Sequence, residues 1–386
     1  MPRLPHFFLI CAVCTVATAQ APTAPTQPQP SPTQSSTAPT QMQSAPVPPN
    51  YPAPVEGDFV IPDFHFRSGE TLPELRIHYR TIGTPKLDGN GVVRNAVLIG
   101  HGTGGAGTQF LGPQFANVLF GPGGVLDASK YFIVLADGIG HGGSSKPSDG
   151  LHARFPHYTY DDMVAAQHEL LTKKLGVNHL RLVMGTSMGG MHTWVWGETY
   201  PEFMDALMPL ASLPVEIAGR NRIWRLMAMD AIRDDPEWLD GEYKTEPVRG
   251  LTSAENILLI FGSAPLQWQN LSPTRDAADA FYKERVKAAV AKLDANDLLY
   301  QLAASREYNP APKLETIKAP LVAINSADDQ INPPELGLIE REIKHVKNGR
   351  FIMLPISDQT RGHGTHTLPT IWQEHLKELL AETEQK

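Results

Sequence analysis

The residues of this chain that are best placed for chemistry are Gly185-Thr186-Ser187-Met188-Gly189. Serine is a weak nucleophile until a base accepts its proton, and it can then form a covalent acyl intermediate. The apolar run of residues 180–184 leads directly into this motif, and residues 190–196 behind it are typical of a helix packed on a sheet. A strand, a sharp turn that carries serine between two glycines, and a helix together predict a nucleophile elbow. The alternative is a glycine-rich strand-to-helix turn with a buried serine.

A loop further along the chain carries the carboxylate that would orient a base. Nucleophile, acid and base are expected in the chain order Ser, Asp, His. Asp328 and Asp329 follow the apolar run of residues 321–325, in a loop expected at the carboxyl edge of the sheet. We predict Asp329 as the acid, because it stands two residues before the apolar Ile331. Asp328 remains open as the alternative, and the other aspartate then caps the loop.

The base is expected in the loop after the apolar run of residues 351–355. We predict His363 for this role, because it is flanked by glycines just before the final helix. His366 is the alternative, and in that position it can also cap or pack against the helix. A metal pair made by the two histidines lacks a third ligand at suitable spacing, so we predict no metal site.

The segment His101-Gly102-Thr103-Gly104-Gly105 directly follows an apolar run that ends at Gly100. Acyl transfer needs hydrogen-bond donors for the tetrahedral oxyanion, and a glycine-rich loop after a strand can supply them. We predict the backbone amides of Thr103 and Met188 as these donors, and His101 as a structural hydrogen-bonding residue. The second glycine-rich stretch, residues 137–143, lacks the spacing and the following helix of a dinucleotide fingerprint. We therefore expect it to form a wall of the pocket, and we predict no cofactor.

The remaining pattern predicts the elements that must hold these residues. Residues 59–61 and 75–79 alternate as antiparallel edge strands do. Short continuous apolar runs then follow, of the kind that parallel strands buried on both faces have. They lie at residues 96–100, 131–136, 182–184, 206–210, 321–324 and 351–354. Helical segments at 160–175 and 368–382 separate or follow them, so we predict an α/β fold with a mostly parallel central sheet flanked by helices.

A long stretch between the fourth and fifth of these runs has no strand pattern. Residues 222–233, 253–261 and 275–291 have the pattern of amphipathic helices. We predict a helical lid over the site at residues 213–318, inserted into a core of residues 57–212 and 319–386. The alternative is an insertion that only enlarges the core.

The first part of the chain has the composition of a targeting segment and a linker. Residues 7–19 are apolar and end in Ala17-Thr18-Ala19, so we predict a signal peptide at residues 1–19 and a periplasmic or secreted protein. The apolar stretch is shorter than the about 20 residues that span a bilayer, so no stable membrane insertion is expected. Residues 20–56 are rich in Pro, Thr, Ser and Gln, which predicts a disordered linker. Both cysteines, Cys11 and Cys14, lie in the signal peptide, so cysteine catalysis in the mature chain is excluded.

The charge of the chain argues against one class of partner. It has 33 Lys and Arg residues against 41 Asp and Glu residues, a formal net charge of -8, and no basic cluster. Proteins that bind nucleic acids carry a basic surface, so we expect no nucleic-acid partner. The expected partner is a small-molecule acyl substrate.

In these motifs the chain resembles the α/β-hydrolase superfamily, in its homoserine O-acetyltransferase-like branch. The resemblance runs from about residue 57 to the C-terminus. Its landmarks include GGSSKP at 142–147, Phe155-Pro156, GTSMGGM at 185–191, RIWRLMAMDAIRDDPEW at 222–238, Asp294-Ala295-Asn296, Asp329 with Pro333-Pro334, and Gly362-His363. It implies the α/β-hydrolase fold with a helical lid, and it allows a homodimer through that lid. Two segments depart from the acetyltransferases. Gly364 follows the histidine where they typically have an aspartate that helps to hold the amino group of homoserine, and HGTGG replaces their usual His-Ala-Leu-Thr-Gly.

The sequence therefore predicts an exported serine hydrolase that cleaves an ester or a related acyl substrate. Ser187 would carry the acyl group, His363 would act as the base, and Asp329 would orient the histidine. The alternative is an acyltransferase of the homoserine O-acetyltransferase type, in which an alcohol replaces water. A third hypothesis is a non-catalytic binding module that keeps the fold.

Overall fold

The computed structural model describes residues 48–384 of the chain. The predicted signal peptide and residues 20–47 of the predicted linker lie outside the described residues.

One eight-stranded sheet organises the described residues, with the strand order β1-β2-β4-β3-β5-β6-β7-β8. The pairs β1–β2 and β2–β4 are antiparallel, and every other neighbouring pair is parallel. The predicted mostly parallel α/β sheet is therefore confirmed. The strands are β1 (Val55–His65), β2 (Thr71–Ile82), β3 (Ala96–Gly100), β4 (Phe132–Ala136), β5 (Leu182–Thr186), β6 (Leu207–Leu210), β7 (Leu321–Ser326) and β8 (Gly349–Leu354).

The burial of the strands follows their apolar patterns. Every residue of β4, β5, β6 and β7 is buried, because helices cover both faces of the sheet there. Strand β1 alternates between exposed and covered positions, as an antiparallel edge strand does. The strand order brings the carboxyl ends of β3, β5, β6, β7 and β8 to one edge of the sheet, where the three predicted loops meet.

Ten α-helices lie in the described residues, and some of them cover the two faces of the sheet. Helices α2 and α3 contribute to the core on one face, and α1 and α10 contribute to the core on the other. The helices are α1 (Ala116–Leu119), α2 (Tyr160–Glu169), α3 (Met188–Thr199), α4 (Gly219–Arg233), α5 (Val248–Phe261), α6 (Pro265–Leu271), α7 (Arg275–Val290), α8 (Ala295–Ala303), α9 (Leu338–Glu342) and α10 (Pro369–Glu382).

Five helices, α4 to α8, lie in the helical insertion, which we define as residues 213–318. Helices α4, α5 and α8 share a separate apolar core. Helix α6 has no buried residue, and Val286 is the one buried residue of α7. Helices α6 and α8 were not predicted from the sequence. Helix α8 joins the insertion to the loop after β4, because Gln301 Nε2 donates to the Gly140 oxygen at 2.7 Å.

Some residues that the sequence analysis placed in the linker, before residue 57, make long-range contacts. Strand β1 begins at Val55, and its first residue pairs with Thr81. Further back, the Tyr51 hydroxyl donates to the Leu111 oxygen at 2.8 Å, and Asn50 is hydrogen-bonded to Asn117. The sequence prediction placed residues 48–56 in the linker because their composition continues it, whereas their order comes from these long-range contacts.

Of the helices in residues 48–384, none is apolar over enough of its length to cross a bilayer.

Candidate active site

The turn between β5 and α3 places Ser187 in an unusual backbone conformation. Its φ is 56° and its ψ is -112°, and its amide donates to the Leu210 oxygen at 2.9 Å. A non-glycine residue at positive φ is strained by about 1–3 kcal/mol and persists only where the surroundings enforce it. In this turn the strained conformation depends on the two glycines of the motif, Gly185 and Gly189. A Cβ on Gly185 would lie 2.2 Å from the Gly189 oxygen, and a Cβ on Gly189 would lie 2.0 Å from the Gly100 oxygen. The turn therefore requires both glycines of the motif.

Ser187, His363 and Asp329 are joined in one hydrogen-bonded line. The distance from Ser187 Oγ to His363 Nε2 is 2.8 Å, and that from His363 Nδ1 to Asp329 Oδ2 is also 2.8 Å. An ionised carboxylate only accepts, so Nδ1 carries the ring proton of a neutral imidazole and Nε2 accepts from the serine hydroxyl. Ser187 is partly exposed, whereas the Asp329 side chain has no exposed area. The arrangement allows Nε2 to take the hydroxyl proton when Oγ attacks an electrophile.

The surroundings of Asp329 favour its ionised form. Its carboxylate accepts hydrogen bonds from the amides of Ile331 at 2.8 Å and Asn332 at 3.1 Å, and from the Asn332 side chain at 3.1 Å. Burial by itself would raise the pKa of Asp329, but the charge and hydrogen bond of His363 and the two amides outweigh it and lower the pKa. The carboxylate is therefore held as an anion that faces Nδ1.

The two alternative residues lie beside this line but outside it. Asp328 accepts from the Gly362 amide at 3.0 Å and from the Ser326 hydroxyl, so it fixes the loop that carries His363. The His366 ring packs edge-on against His363 with 5.4 Å between the ring centroids. Burial, and then the neighbouring His363, lower the pKa of His366 to about 3. His366 is therefore a partly buried neutral residue that packs against His363.

The loop after β3 lies next to Ser187. A Cβ built on Gly102 would lie 3.5 Å from Ser187 Cβ, so Thr103 follows a glycine that touches the serine. Met188 is the first residue of α3, and helix N-termini leave amides free to bind negative charge. Within residues 48–384, neither the Thr103 amide nor the Met188 amide donates a hydrogen bond to another group. Both predicted oxyanion donors are therefore available at this end of the site.

Two side chains hold that loop in place. His101 Nδ1 donates to the Gly102 oxygen at 2.9 Å, and its Nε2 accepts from the Gly138 amide at 2.9 Å. Burial lowers the pKa of His101, in agreement with a neutral ring that has one donor and one acceptor. Gln109 accepts from the Gly102 amide at 3.3 Å and donates to Thr186 Oγ1 at 3.0 Å. Gln109 thus ties the loop to the end of β5.

Sequence reasoning missed Gln109 and Asn332 as parts of the site. Asn332 binds Asp329 and also donates to the Ala211 oxygen at 2.8 Å, which joins the ends of β6 and β7. Its place in the loop after Asp329 was a usable signal, because short polar side chains in such loops often bind nearby polar groups. Gln109 had no such signal, since it reaches Thr186 only through the folding of the sheet.

A cavity of about 560 Å³ lies beside the acid loop, between that loop and the start of the helical insertion. Met191, Asn221 and Asn332 are among its lining residues, which are mostly apolar, but Ser187 and His363 are not. The reactive atoms are therefore not in its wall. Within the described range, no three His, Cys, Asp or Glu side chains are placed together as metal ligands.

Comparisons with known proteins agree with this architecture. A model of the α/β-hydrolase fold matches residues 95–352. The chain is 32% identical over 282 residues to a probable acyltransferase of Methanothermobacter thermautotrophicus. The aligned region covers 73% of this chain and 85% of that protein. It is 30% identical over 340 residues to the homoserine O-acetyltransferase of Pelobacter propionicus, with 78% and 89% of the two chains covered.

Among solved structures, the acetyl esterase MekB is similar with a TM-score of 0.73 and 25% identity, over 85% of this chain and 97% of that one. The family model spans strands β3 to β7, the elbow and the helical insertion. The chain therefore belongs to the α/β-hydrolase family, in its homoserine O-acetyltransferase-like branch.

Proposed function

We propose that the protein transfers acyl groups through a covalent intermediate on Ser187. The observation that carries the proposal is the continuous hydrogen-bonded line from Ser187 Oγ through His363 to Asp329. His363 is the base, Asp329 is the orienting acid, and the amides of Thr103 and Met188 are the donors to the oxyanion.

In the first half of the reaction, Ser187 Oγ attacks the carbonyl carbon of the acyl donor while His363 Nε2 takes the hydroxyl proton. The carbonyl oxygen becomes the oxyanion that the two amides bind. The carbon–oxygen bond to the leaving group then breaks, and the imidazolium returns its proton to the departing oxygen. Acyl-Ser187 remains. Asp329 stabilises the imidazolium that exists between these two proton transfers, because it is a buried anion 2.8 Å from Nδ1.

In the second half, a hydroxyl compound attacks the acyl group and His363 takes its proton. The bond from the carbonyl carbon to Ser187 Oγ breaks, and Oγ regains the proton from His363. We propose an alcohol as the acceptor, which makes the protein an acyltransferase. The curated relatives named acyltransferase and homoserine O-acetyltransferase support this choice over the hydrolysis that the sequence analysis put first.

Hydrolysis is the second candidate, with water in place of the alcohol. The structural similarity to an acetyl esterase supports it. Gly364 supports it as well, because it provides no carboxylate next to His363 where the acetyltransferases use an aspartate to hold the amino group of homoserine. The chemistry on Ser187 is the same in both candidates, and the acceptor alone differs.

Purified protein that is mixed with p-nitrophenyl acetate, with and without excess homoserine, separates the candidates. O-acetylhomoserine as the product establishes the transferase, and free acetate in both mixtures excludes transfer to homoserine and favours the hydrolase. Ser187→Ala should abolish turnover in either case without lowering the melting temperature. Ser253→Ala, which changes an exposed serine on α5, is the matched control and should keep full activity. Full turnover by Ser187→Ala would refute the proposal.

We also propose that the protein is exported. The apolar stretch of residues 7–19 and the small residues at its end support this. Expression of the full chain in a bacterial host, followed by fractionation, should give a mature protein outside the cytoplasm whose first residue is Gln20. An intact N-terminus on protein that stays in the cytoplasm would contradict export.

A further inference from the structure

Arg225 on α4 is a buried cation without an acidic partner. The residue is 3% exposed. Its Nε donates to Asn221 Oδ1 at 3.0 Å, its Nη1 donates to Ser305 Oγ at 3.4 Å, and its guanidinium lies 4.7 Å from the centroid of the Trp224 ring. Within residues 48–384 no Asp or Glu side chain forms an ion pair with it, and Tyr160 and Arg222 are the ionisable groups that act on it. The guanidinium keeps its charge at every ordinary pH.

A buried charge with neutral partners is costly, because the low-dielectric interior replaces water that would have stabilised it. Burial indeed lowers the pKa of Arg225, which expresses that cost. A buried positive charge strongly stabilises any negative charge that forms near it, because little water screens the two. The charge of Arg225 therefore acts first on the group that its guanidinium faces.

That group is Tyr160, the first residue of α2, which is fully buried. Its hydroxyl lies beside the side chains of Arg225, Ser305 and Thr103, but it makes no hydrogen bond of good geometry within the described residues. Burial raises the pKa of Tyr160, so the hydroxyl keeps its proton and remains a donor. Tyr160 thus fills the space between the buried guanidinium and the loop after β3.

Next to Tyr160 lies Thr103, whose backbone amide is one of the two proposed oxyanion donors. Gly102, which precedes it, is in contact range of Ser187. Arg225, Tyr160 and Thr103 therefore form a row of side chains that runs from the helical insertion to the edge of the reacting atoms. We call it the Arg225 row.

We propose that Arg225 and Tyr160 are positioning residues for the oxyanion, a proposal that rests on the function proposed above. The guanidinium holds the Tyr160 hydroxyl against Thr103, and Tyr160 fixes the loop so that the Thr103 amide points at the developing negative charge. The guanidinium also raises the electrostatic potential at that point. A fixed positive charge in a water-excluded site stabilises a charge that exists only in the transition state, so its effect falls on kcat rather than on KM.

Two other roles for Arg225 make different predictions. A guanidinium that binds a carboxylate of the substrate would act on anionic substrates and through KM. A guanidinium that only supports the packing of α4 against α8 would lower the fraction of folded protein and leave each remaining active site unchanged.

The test uses the full chain and four variants: Arg225→Met, Arg225→Lys, Tyr160→Phe, and the control Arg233→Met on the exposed side of the same helix. Each variant is assayed with the neutral ester p-nitrophenyl acetate and with an ester that carries a carboxylate, and the burst of p-nitrophenol from p-nitrophenyl acetate titrates its active sites. We expect kcat per titrated site to fall about 10–100-fold in Arg225→Met, since one direct oxyanion donor accounts for about 10²–10³-fold and this action is indirect. KM should stay within about threefold.

The two conservative variants, Arg225→Lys and Tyr160→Phe, test the proposal independently, and they give a result even if Arg225→Met does not fold. Arg225→Lys keeps the charge and should recover most of kcat, and Tyr160→Phe should lower kcat about tenfold, because the row is broken while its packing remains. Unchanged kcat per site in Arg225→Met and Tyr160→Phe would overturn the proposal. It would equally be overturned by a loss that appears only in KM for anionic esters, or only in the number of titrated sites. Activity of Ser187→Ala is a separate outcome, which would refute the proposed function itself whatever Arg225 does.

Discussion

Two buried carboxylates, Asp329 in the candidate active site and Asp297 at the start of α8 in the helical insertion, respond to burial in opposite ways. Asp329 is 0% exposed and Asp297 is 8% exposed. The pKa of Asp329 is lowered, whereas the pKa of Asp297 is raised to about 6. Loss of water around a carboxylate favours its neutral form in both places, so the difference must come from neighbouring groups.

The neighbours have opposite charge in the two regions. Asp329 faces His363 and two backbone amides, which together outweigh burial. Asp297 accepts from the amide and the hydroxyl of Ser148, but burial and the nearby Asp294 outweigh these bonds. Glu246 in the same acidic group has its pKa raised to about 7, first by burial and then by Asp294.

The comparison shows that the placement of counter-charges decides what a buried acid can do. The acid of the site is held ionised and aimed at one atom, as an orienting group must be. In the helical insertion the like-charged neighbours and burial raise the pKa values of Asp297 and Glu246, so these two acids keep their protons to a higher pH than an exposed carboxyl does. A low solvent exposure therefore does not by itself mark a functional carboxylate.

The largest expected effect is on turnover, when each acid is replaced by its amide. Asp329→Asn should lower kcat roughly 10³–10⁴-fold, because the amide stabilises the wrong imidazole tautomer and cannot offset the imidazolium charge. Asp297→Asn should change kcat by about threefold or less, since it removes a charge that no reacting group uses. Steady-state kinetics with p-nitrophenyl acetate measures both.

Asp328→Asn is the matched control for the site, because Asp328 is adjacent in sequence and also buried. Its amide oxygen can still accept from Gly362, so we expect a loss of about tenfold or less. If Asp328→Asn lost as much activity as Asp329→Asn, the assignment of the acid would be contradicted.

The active site and the helical insertion also differ in how closely other atoms surround their glycines. Gly189→Ala places a Cβ 2.0 Å from the Gly100 oxygen, so β3 and α3 must move apart. We expect a loss of about 1–3 kcal/mol or more in the free energy of unfolding, as for other overpacked positions. Gly262→Ala in the insertion meets its nearest atom, the Leu258 oxygen, at 3.2 Å and should cost clearly less. Urea denaturation compares the two, and equal losses would show that the elbow is not the more crowded turn.

The smallest expected effect is on the pH dependence of stability. Asp297 and Glu246 have raised pKa values when folded, so the unfolded chain releases their protons at lower pH. They therefore contribute stability at acidic pH that is lost as the pH rises through about 4 to 7. Asp329 has a lowered pKa, and its contribution is present above its usual value of 3.8 and is lost as the pH falls below it.

Glu246→Gln isolates the effect of the insertion. The amide can still accept from the Ala295 amide, as Glu246 does at 3.1 Å, but it carries no charge. We expect its melting temperature to exceed that of the unmodified protein at about pH 8 and to equal it at about pH 4. A Glu246→Gln variant that melts below the unmodified protein at pH 8 would contradict the raised pKa.

Much of the site could be predicted from the sequence because its parts follow strands. Ser187, Asp329 and His363 each come after an apolar run, and parallel strands bring their carboxyl ends to one edge of the sheet. The choice between Asp328 and Asp329 depended on a single apolar neighbour. The structure separates the two by their partners, since one accepts from a loop amide and the other from His363.

The parts that could not be predicted depend on contacts between distant segments. Gln109 reaches Thr186 across 77 positions, and Arg225 reaches Ser305 across 80 positions. Local sequence patterns carry no information on such pairs. The contacts of residues 48–55 have the same origin, because the composition of these residues matches a linker while their hydrogen bonds are made with segments far along the chain.

The measurement that tests the central claim most directly is the covalent state of the protein during turnover. The full chain is mixed with p-nitrophenyl acetate, quenched in acid, and analysed by mass spectrometry of the intact protein and of its peptides. We expect one added acetyl group that maps to Ser187, and no adduct and no turnover in Ser187→Ala. Turnover without an acetyl-enzyme, or an acetyl group on another residue that the reaction requires, would contradict it.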